Sequence, residues 1–257
     1  MNTEGDIIRI RVENGIEKII LNKPKKKNAI TKKMYIDMAN ILNDLSKDES
    51  VHMVVLTGTG DFFTSGNDFS DLFNMDKDST SSLMEQLTSF KNFIDAIITF
   101  PKLLVALVNG PGIGVGTTML GLFDMVYASD KAYFYTPFSK LGLVAEGCST
   151  YTFPKIMGPN KASNMLYFSY KMDVKEAKEC GLVSEIYKDV EEVWTYLRRL
   201  NQLSIESIMA TKRLVQKWNK ETLLKVNKIE VEELINRCGS ADLAERLSHF
   251  ILNKSKL

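Results

Sequence analysis

Hydrophobic and polar positions near the start of the chain alternate between two periods. Residues 7–12 (IIRIRV) and 16–21 (IEKIIL) are short β-rich runs joined by Glu13-Asn14-Gly15. An Asn-Gly between such runs predicts a hairpin, because both residues tolerate positive φ. Thr31 then stands where a helix cap is expected, and Met34, Met38, Ile41, Leu42 and Leu45 follow at helical spacing. Residues 51–57 form a nearly unbroken apolar run ending at Gly58-Thr59-Gly60, the pattern of a strand buried on both faces.

Further along, a helix is predicted over 81–100, where Pro101 ends it, and a buried strand over 103–108. A glycine-rich turn leads into a short helix over 114–122, followed by brief strands at 125–128 and 132–135. Beyond Gly147 helices dominate, with one strand at 182–187 and three amphipathic pieces at 204–219, 221–237 and 241–252. Strands alternating with helices predict an α/β core over residues 1–200, with the helical region 201–257 as an appendage.

Composition narrows the function. Of 257 residues, 44% are hydrophobic and 25% charged, an ordinary globular profile. A chain of this length buries roughly 70–75% of its unfolded surface. The net charge of +1, with signs interspersed, speaks against a nucleic-acid partner. No apolar run reaches the roughly 20 residues needed to span a bilayer, so no membrane span is expected. The start, MNTEGDIIRI, lacks signal-peptide character. Cys148, Cys180 and Cys238 are odd in number and scattered, which predicts reduced thiols in an intracellular compartment. Ser255-Lys256-Leu257 spells the S-K-L address read by the peroxisomal import receptor, so a peroxisomal matrix location is expected. The sequence leaves a mitochondrial pool open but does not indicate one.

The sequence holds only two histidines, His52 and His249, far apart and best read as structural. It contains neither G-K-[ST] nor G-x-G-x-x-G. No metal or redox cofactor is expected, and the chemistry is left to carboxylates and backbone groups. Two segments follow buried strands: 61–69 (DFFTSGNDF) and 108–116 (VNGPGIGVG). Glycines let a ligand approach the backbone, and the first amides of a helix lack acceptors and carry partial positive charge. Spacing alone allows either an oxyanion hole of main-chain N–H groups or two tight turns that need glycine.

These segments resemble the paired oxyanion segments of the crotonase (enoyl-CoA hydratase/isomerase) superfamily, F-x-[AS]-G-x-D-[LF] followed by a strand ending in N-G-x-x-x-G. Asn28-Ala29-Ile30 is similar to the N-A-[LI] of that family's CoA-binding loop, and the likeness runs from about Ile7 through the helical tail. The resemblance implies a crotonase-like spiral of ββα units with a C-terminal helical trimerisation region. It also implies an acyl-CoA substrate, whose CoA is not a separate cofactor, and a homotrimer or hexamer. By the same resemblance, the amides of Ser65 and Val115 form the oxyanion hole. Lys27, Asn28, Ala29, Phe63, Thr64, Gly66, Asn67, Asp68, Phe69 and Gly114 lie along the substrate, and Lys25, Lys26 and Lys27 are candidates for the CoA phosphates. The family's hydratases hold a water with two glutamates, but the matching positions here are Thr118 and, approximately, Phe138. Glu146 instead stands where the Δ3,Δ2-enoyl-CoA isomerases of the family have their glutamate. It lies among apolar Leu143, Val144 and Ala145, whose desolvation would raise its pKa. Read by itself, Glu146 could equally be a first-turn glutamate complementing a helix dipole. The implied activity is isomerisation of a 3-enoyl-CoA to trans-2-enoyl-CoA. The alternatives are a hydratase, dienoyl-CoA isomerase or thioesterase on the same scaffold, or a non-catalytic CoA-binding module.

Overall fold

A computed structural model describes residues 5–13, 15–68 and 79–254. Phe69 and the Ser255-Lys256-Leu257 tail, both singled out in the sequence, lie outside the described residues, as does Asn14 of the first turn. The chain opens with β1 (Ile7–Val12), β2 (Ile16–Leu21), α1 (Lys32–Lys47), β3 (Met53–Gly58), α2 (Ser79–Thr99) and β4 (Leu103–Val108). After β5 (Gly112–Ile113) and α3 (Val115–Thr118) come β6 (Met125–Ser129), β7 (Tyr133–Tyr135), α4 (Phe138–Leu141), α5 (Ser149–Met157) and α6 (Pro159–Leu166). The remainder is β8 (Lys171–Asp173), α7 (Val174–Glu179), β9 (Glu185–Tyr187), α8 (Val190–Arg199), α9 (Ile205–Cys238) and α10 (Ala241–Lys254).

β1 and β2 form the expected antiparallel hairpin, with Ile7 opposite Leu21. The main sheet runs β1-β2-β3-β4-β6-β9, every pair after the hairpin being parallel. Successive side chains of a strand face opposite ways, and both faces here are covered. Val54, Leu56, Leu104 and Ala106 pack with Met38 and Leu42 of α1 and Phe93 and Ile97 of α2. Met53, Val55, Val105 and Leu107 pack on the other side with Val193, Trp194 and Leu197 of α8. Thr31 caps α1, its hydroxyl accepting the Met34 amide at 3.3 Å.

A second sheet, β5-β7-β8, was not legible as strands in the sequence beyond β7. β5 and β8 are two and three residues long, too short for a period to show. The helical tail also differs from expectation. Where two pieces were predicted to divide near residue 220, α9 is one helix of 34 residues. Asn219-Lys220 contains neither proline nor glycine, so nothing stops the backbone; only the apolar stripe is interrupted. Leu214, Val215 and Trp218 in the first half of α9 are exposed, whereas Asn227, Glu230, Val231 and Leu234 in the second half are buried. Residues 227, 230, 231 and 234 share one helical face. Asn227 donates to Lys91 O and to Asp95 Oδ1 on α2, which ties the tail into the core. The tail is thus continuous with the core from α9 onward.

Candidate active site

The two glycine turns lie side by side. Ile113 N donates to Thr64 O at 3.0 Å, and a bridge pairs Thr64 with Gly112. A Cβ on Gly66 would come within 2.7 Å of Ile113 O, and φ there is +87°, so only glycine lets the turns meet. The turns differ from expectation in which amide they present. Ser65 N donates to Lys27 O at 2.8 Å, so it is engaged by the segment before α1 and is not a free donor. Gly66 N donates to Thr64 Oγ1 and Gly114 N to Tyr135 O. Among the described residues, the amides of Asn67, Val115 and Gly116 donate to no backbone acceptor. Asn67 follows Gly66 directly, and Val115 opens α3, where a helix leaves its first N–H groups unpaired. Asn67, beside the Gly66 that meets Ile113, and Val115, at the start of α3, are the candidate pair of donors.

The side chains of several residues expected along the substrate also hold this arrangement together. Asn28, fully buried at φ 53°, accepts the Lys23 amide on Oδ1 and donates through Nδ2 to Thr59 O and Phe62 O. Thr64 is buried and its hydroxyl donates to Asn28 O at 2.7 Å. Phe63 is fully buried in the core, and Ala29 is nearly so. Asp68 lies 3.5 Å from Lys23 Nζ, and its amide donates to Ile30 O. Lys25, Lys26 and Lys27 are exposed beside the loop, with Lys27 Nζ over the Phe62 ring at 5.1 Å. Gly114 precedes the Val115 amide at the start of α3.

Glu146 lies three residues before α5 and is only 2% exposed. Its Oε1 accepts a long hydrogen bond, 3.4 Å, from the Thr118 hydroxyl at the last position of α3. Among the described residues its Oε2 is buried without a hydrogen-bond partner. Gly147, at φ +66°, allows this approach, because a Cβ there would meet Thr118 Oγ1 at 2.6 Å. α3 rises about 1.5 Å per residue, so Thr118 and the open Val115 amide are one turn apart. Burial first, and the nearby charge of Glu230 second, push the Glu146 pKa up to about 8, against a smaller lowering by Thr118. Tyr35 of α1 is fully buried, donates to Asn67 Oδ1, and is itself held in the phenol form by burial and by the charge of Glu146. Thr118 on α3 links the undersolvated carboxylate to the helix that opens at Val115, and Tyr35 links it to Asn67, an arrangement with the parts to hold an oxyanion and move a proton.

Sequence reasoning located Glu146 and both turns but missed Tyr35, Glu230 and the Asn67 amide. A glutamate inside the apolar stripe 227-230-231-234 was the available signal for Glu230.

Residues 11–251 match the family model described as enoyl-CoA hydratase/isomerase, and the chain belongs to that family. It is 42% identical to the peroxisomal enoyl-CoA delta isomerase 3 of Mus musculus, over 98% of this chain and 80% of that protein. It is also 42% identical to enoyl-CoA delta isomerase 2 of Homo sapiens, over 100% of this chain and 66% of that one. The crystal structure of an enoyl-CoA hydratase/isomerase from Pseudoalteromonas atlantica T6c superposes with a TM-score of 0.87 at 31% identity, covering 97% of this chain and 98% of that one. The crotonase-like fold expected from the motifs is the fold of the chain.

Proposed function

We propose that the protein is an enoyl-CoA isomerase that converts a 3-enoyl-CoA thioester to the trans-2-enoyl-CoA. The observation that carries this reading is Glu146, a buried carboxylate with one unpartnered oxygen, tied to the helix that presents an open amide. In the proposed mechanism the thioester oxygen accepts hydrogen bonds from the Asn67 and Val115 amides. Glu146 removes a C2 proton, and the two donors stabilise the enolate that forms. Its charge spreads into the 3,4 double bond, and the protonated Glu146 returns the proton at C4. Each such donor is worth roughly 10²–10³ in rate. Only protons change place, so the step calls for no metal or redox group.

A base must be ionised to act, and a pKa near 8 matches proton affinity to the difficulty of a C–H acid better than an ordinary carboxylate would. Thr118 and Phe138, standing where hydratases carry glutamates, favour isomerisation over water addition. The exposed lysines 25–27 are suited to the CoA phosphates, and the exposed Leu214, Val215 and Trp218 support assembly through the C-terminal helices as a trimer or hexamer. The S-K-L ending, together with the peroxisomal relative, supports a place in the peroxisome for fatty-acid β-oxidation.

Replacing Glu146 with glutamine keeps the shape and removes the base. The kcat on a 3-enoyl-CoA is expected to fall at least about 10³-fold. Near-normal turnover by that variant would remove the mechanism. Assays of 3-enoyl-, 2-enoyl- and 3,5-dienoyl-CoA side by side separate the isomerase from the hydratase and dienoyl-CoA isomerase readings.

A further inference from the structure

α5 begins without a cap of its own. Its N-cap residue, Cys148, sits at φ 63° and offers no side-chain hydrogen bond to the helix. Serine, threonine, aspartate or asparagine would ordinarily supply one. Here the acceptor arrives from α9. The Glu230 carboxylate takes the Cys148 amide at 2.7 Å, the Thr150 amide at 3.0 Å and the Thr150 hydroxyl at 2.6 Å. Glu230 is 5% exposed, and its three donors belong to the turn that begins two residues after Glu146.

We propose that Glu230 is a positioning residue for Glu146: it clamps the 147–150 turn and keeps a fixed negative charge behind the base. This rests on Glu146 being the base. Burial raises the Glu230 pKa, and the three donors oppose that rise by favouring the ionised form. A neighbouring anion makes Glu146 hold its proton more tightly, in the direction the two groups show. The other ionisable groups facing this cluster are Tyr35 on α1, Cys148 in the turn, and Asp95 on α2, which acts on Cys148 and is paired with Lys91 at 2.5 Å. None of them supplies a cation to Glu146 or Glu230. The C-terminal helix would thereby tune a reaction whose donors all come from the first half of the chain.

The test is Glu230→Gln, followed by the pH dependence of kcat/KM on a 3-enoyl-CoA. Glu146 must lose its proton to act, so activity rises with pH through its pKa. Removing the neighbouring charge should move that rise to lower pH by about one unit and lower kcat roughly tenfold, with KM within about twofold. A merely structural cap would leave the midpoint in place, and an unmoved midpoint overturns the proposal. If Glu230→Gln does not fold, Glu230→Asp carries the test. It keeps the charge but shortens the reach, so the midpoint should stay while kcat falls more than fivefold, and wild-type kcat overturns the proposal. Failure of the base assignment looks different, since Glu146→Gln would then remain active whatever Glu230 does.

Discussion

Glu146 and Glu230 are the same residue type, both buried, and close enough for one charge to act on the other, yet the protein treats them in opposite ways. Glu230 receives two amides and a hydroxyl. Glu146 receives one long hydrogen bond and keeps an oxygen without a partner. Burial leads the upward pKa displacement in both. What separates them is satisfaction of the ionised form. A carboxylate surrounded by donors has its ionised form supported and organises backbone, whereas one stripped of water and left half-satisfied is poised to take a proton. Burial therefore marks neither role; the donor count does.

That contrast predicts opposite stability effects for the same substitution. The folded state binds the Glu146 proton more tightly than the unfolded chain, so wild-type stability falls as pH rises from about 4.5 toward 8 and is flat beyond. Glutamine at 146 carries no charge and escapes that loss. Glu146→Gln should match wild type near pH 4 and exceed it at pH 9 by about 3–5 kcal/mol, measured by denaturant or thermal unfolding. A variant no more stable than wild type at pH 9 would mean the carboxylate is solvated. The Glu230 pKa is raised too, so its linkage contribution has the same sign. Glu230→Gln should still be destabilised at pH 7 by about 1–2 kcal/mol, because its NH₂ must face one of the Cys148 and Thr150 amides and that loss outweighs the relief of charge burial. If both variants shift in the same direction, the two carboxylates are not distinguished by their donors.

Much of the fold was legible because it is written in long local patterns. β3 is a nearly unbroken apolar run ending in glycine and β4 an unbroken one preceded by Pro101-Lys102, and α1 carries both a cap at Thr31 and a helical stripe. The site was legible in part for the same reason: glycine turns after buried strands, and a glutamate among apolar neighbours. What was hidden depends on contacts distant in sequence. Which amide of Ser65-Gly66-Asn67 stays open is decided by the Lys27 carbonyl, which engages Ser65. No feature of the segment itself reveals that. Glu230 looked like one more charge on a long helix until the partners of its carboxylate, in the turn before α5, were seen. The continuity of α9 does not show as one stripe because its buried apolar residues, Val231 and Leu234, lie in the second half, while the buried residue of the first half is Lys212, paired with Asp124.

The smallest effect is expected at Thr118, whose hydroxyl is the weak link between α3 and the base. This hydrogen bond favours the ionised carboxylate and so lowers the Glu146 pKa, opposing both burial and Glu230. Thr118→Val preserves the branched shape and removes the donor. Glu146 should then hold its proton more tightly, and the rise of kcat/KM should move to higher pH by less than about one unit. Above that rise the more basic carboxylate offsets its looser orientation, so kcat should change by less than tenfold. The direction is what matters, because loss of Thr118 moves the profile up and loss of Glu230 moves it down. Opposite displacements would place a donor and an anion on the same carboxylate. Movement of both profiles in one direction would mean that the limb reports some other group, and the contrast between the two glutamates would lose its kinetic support.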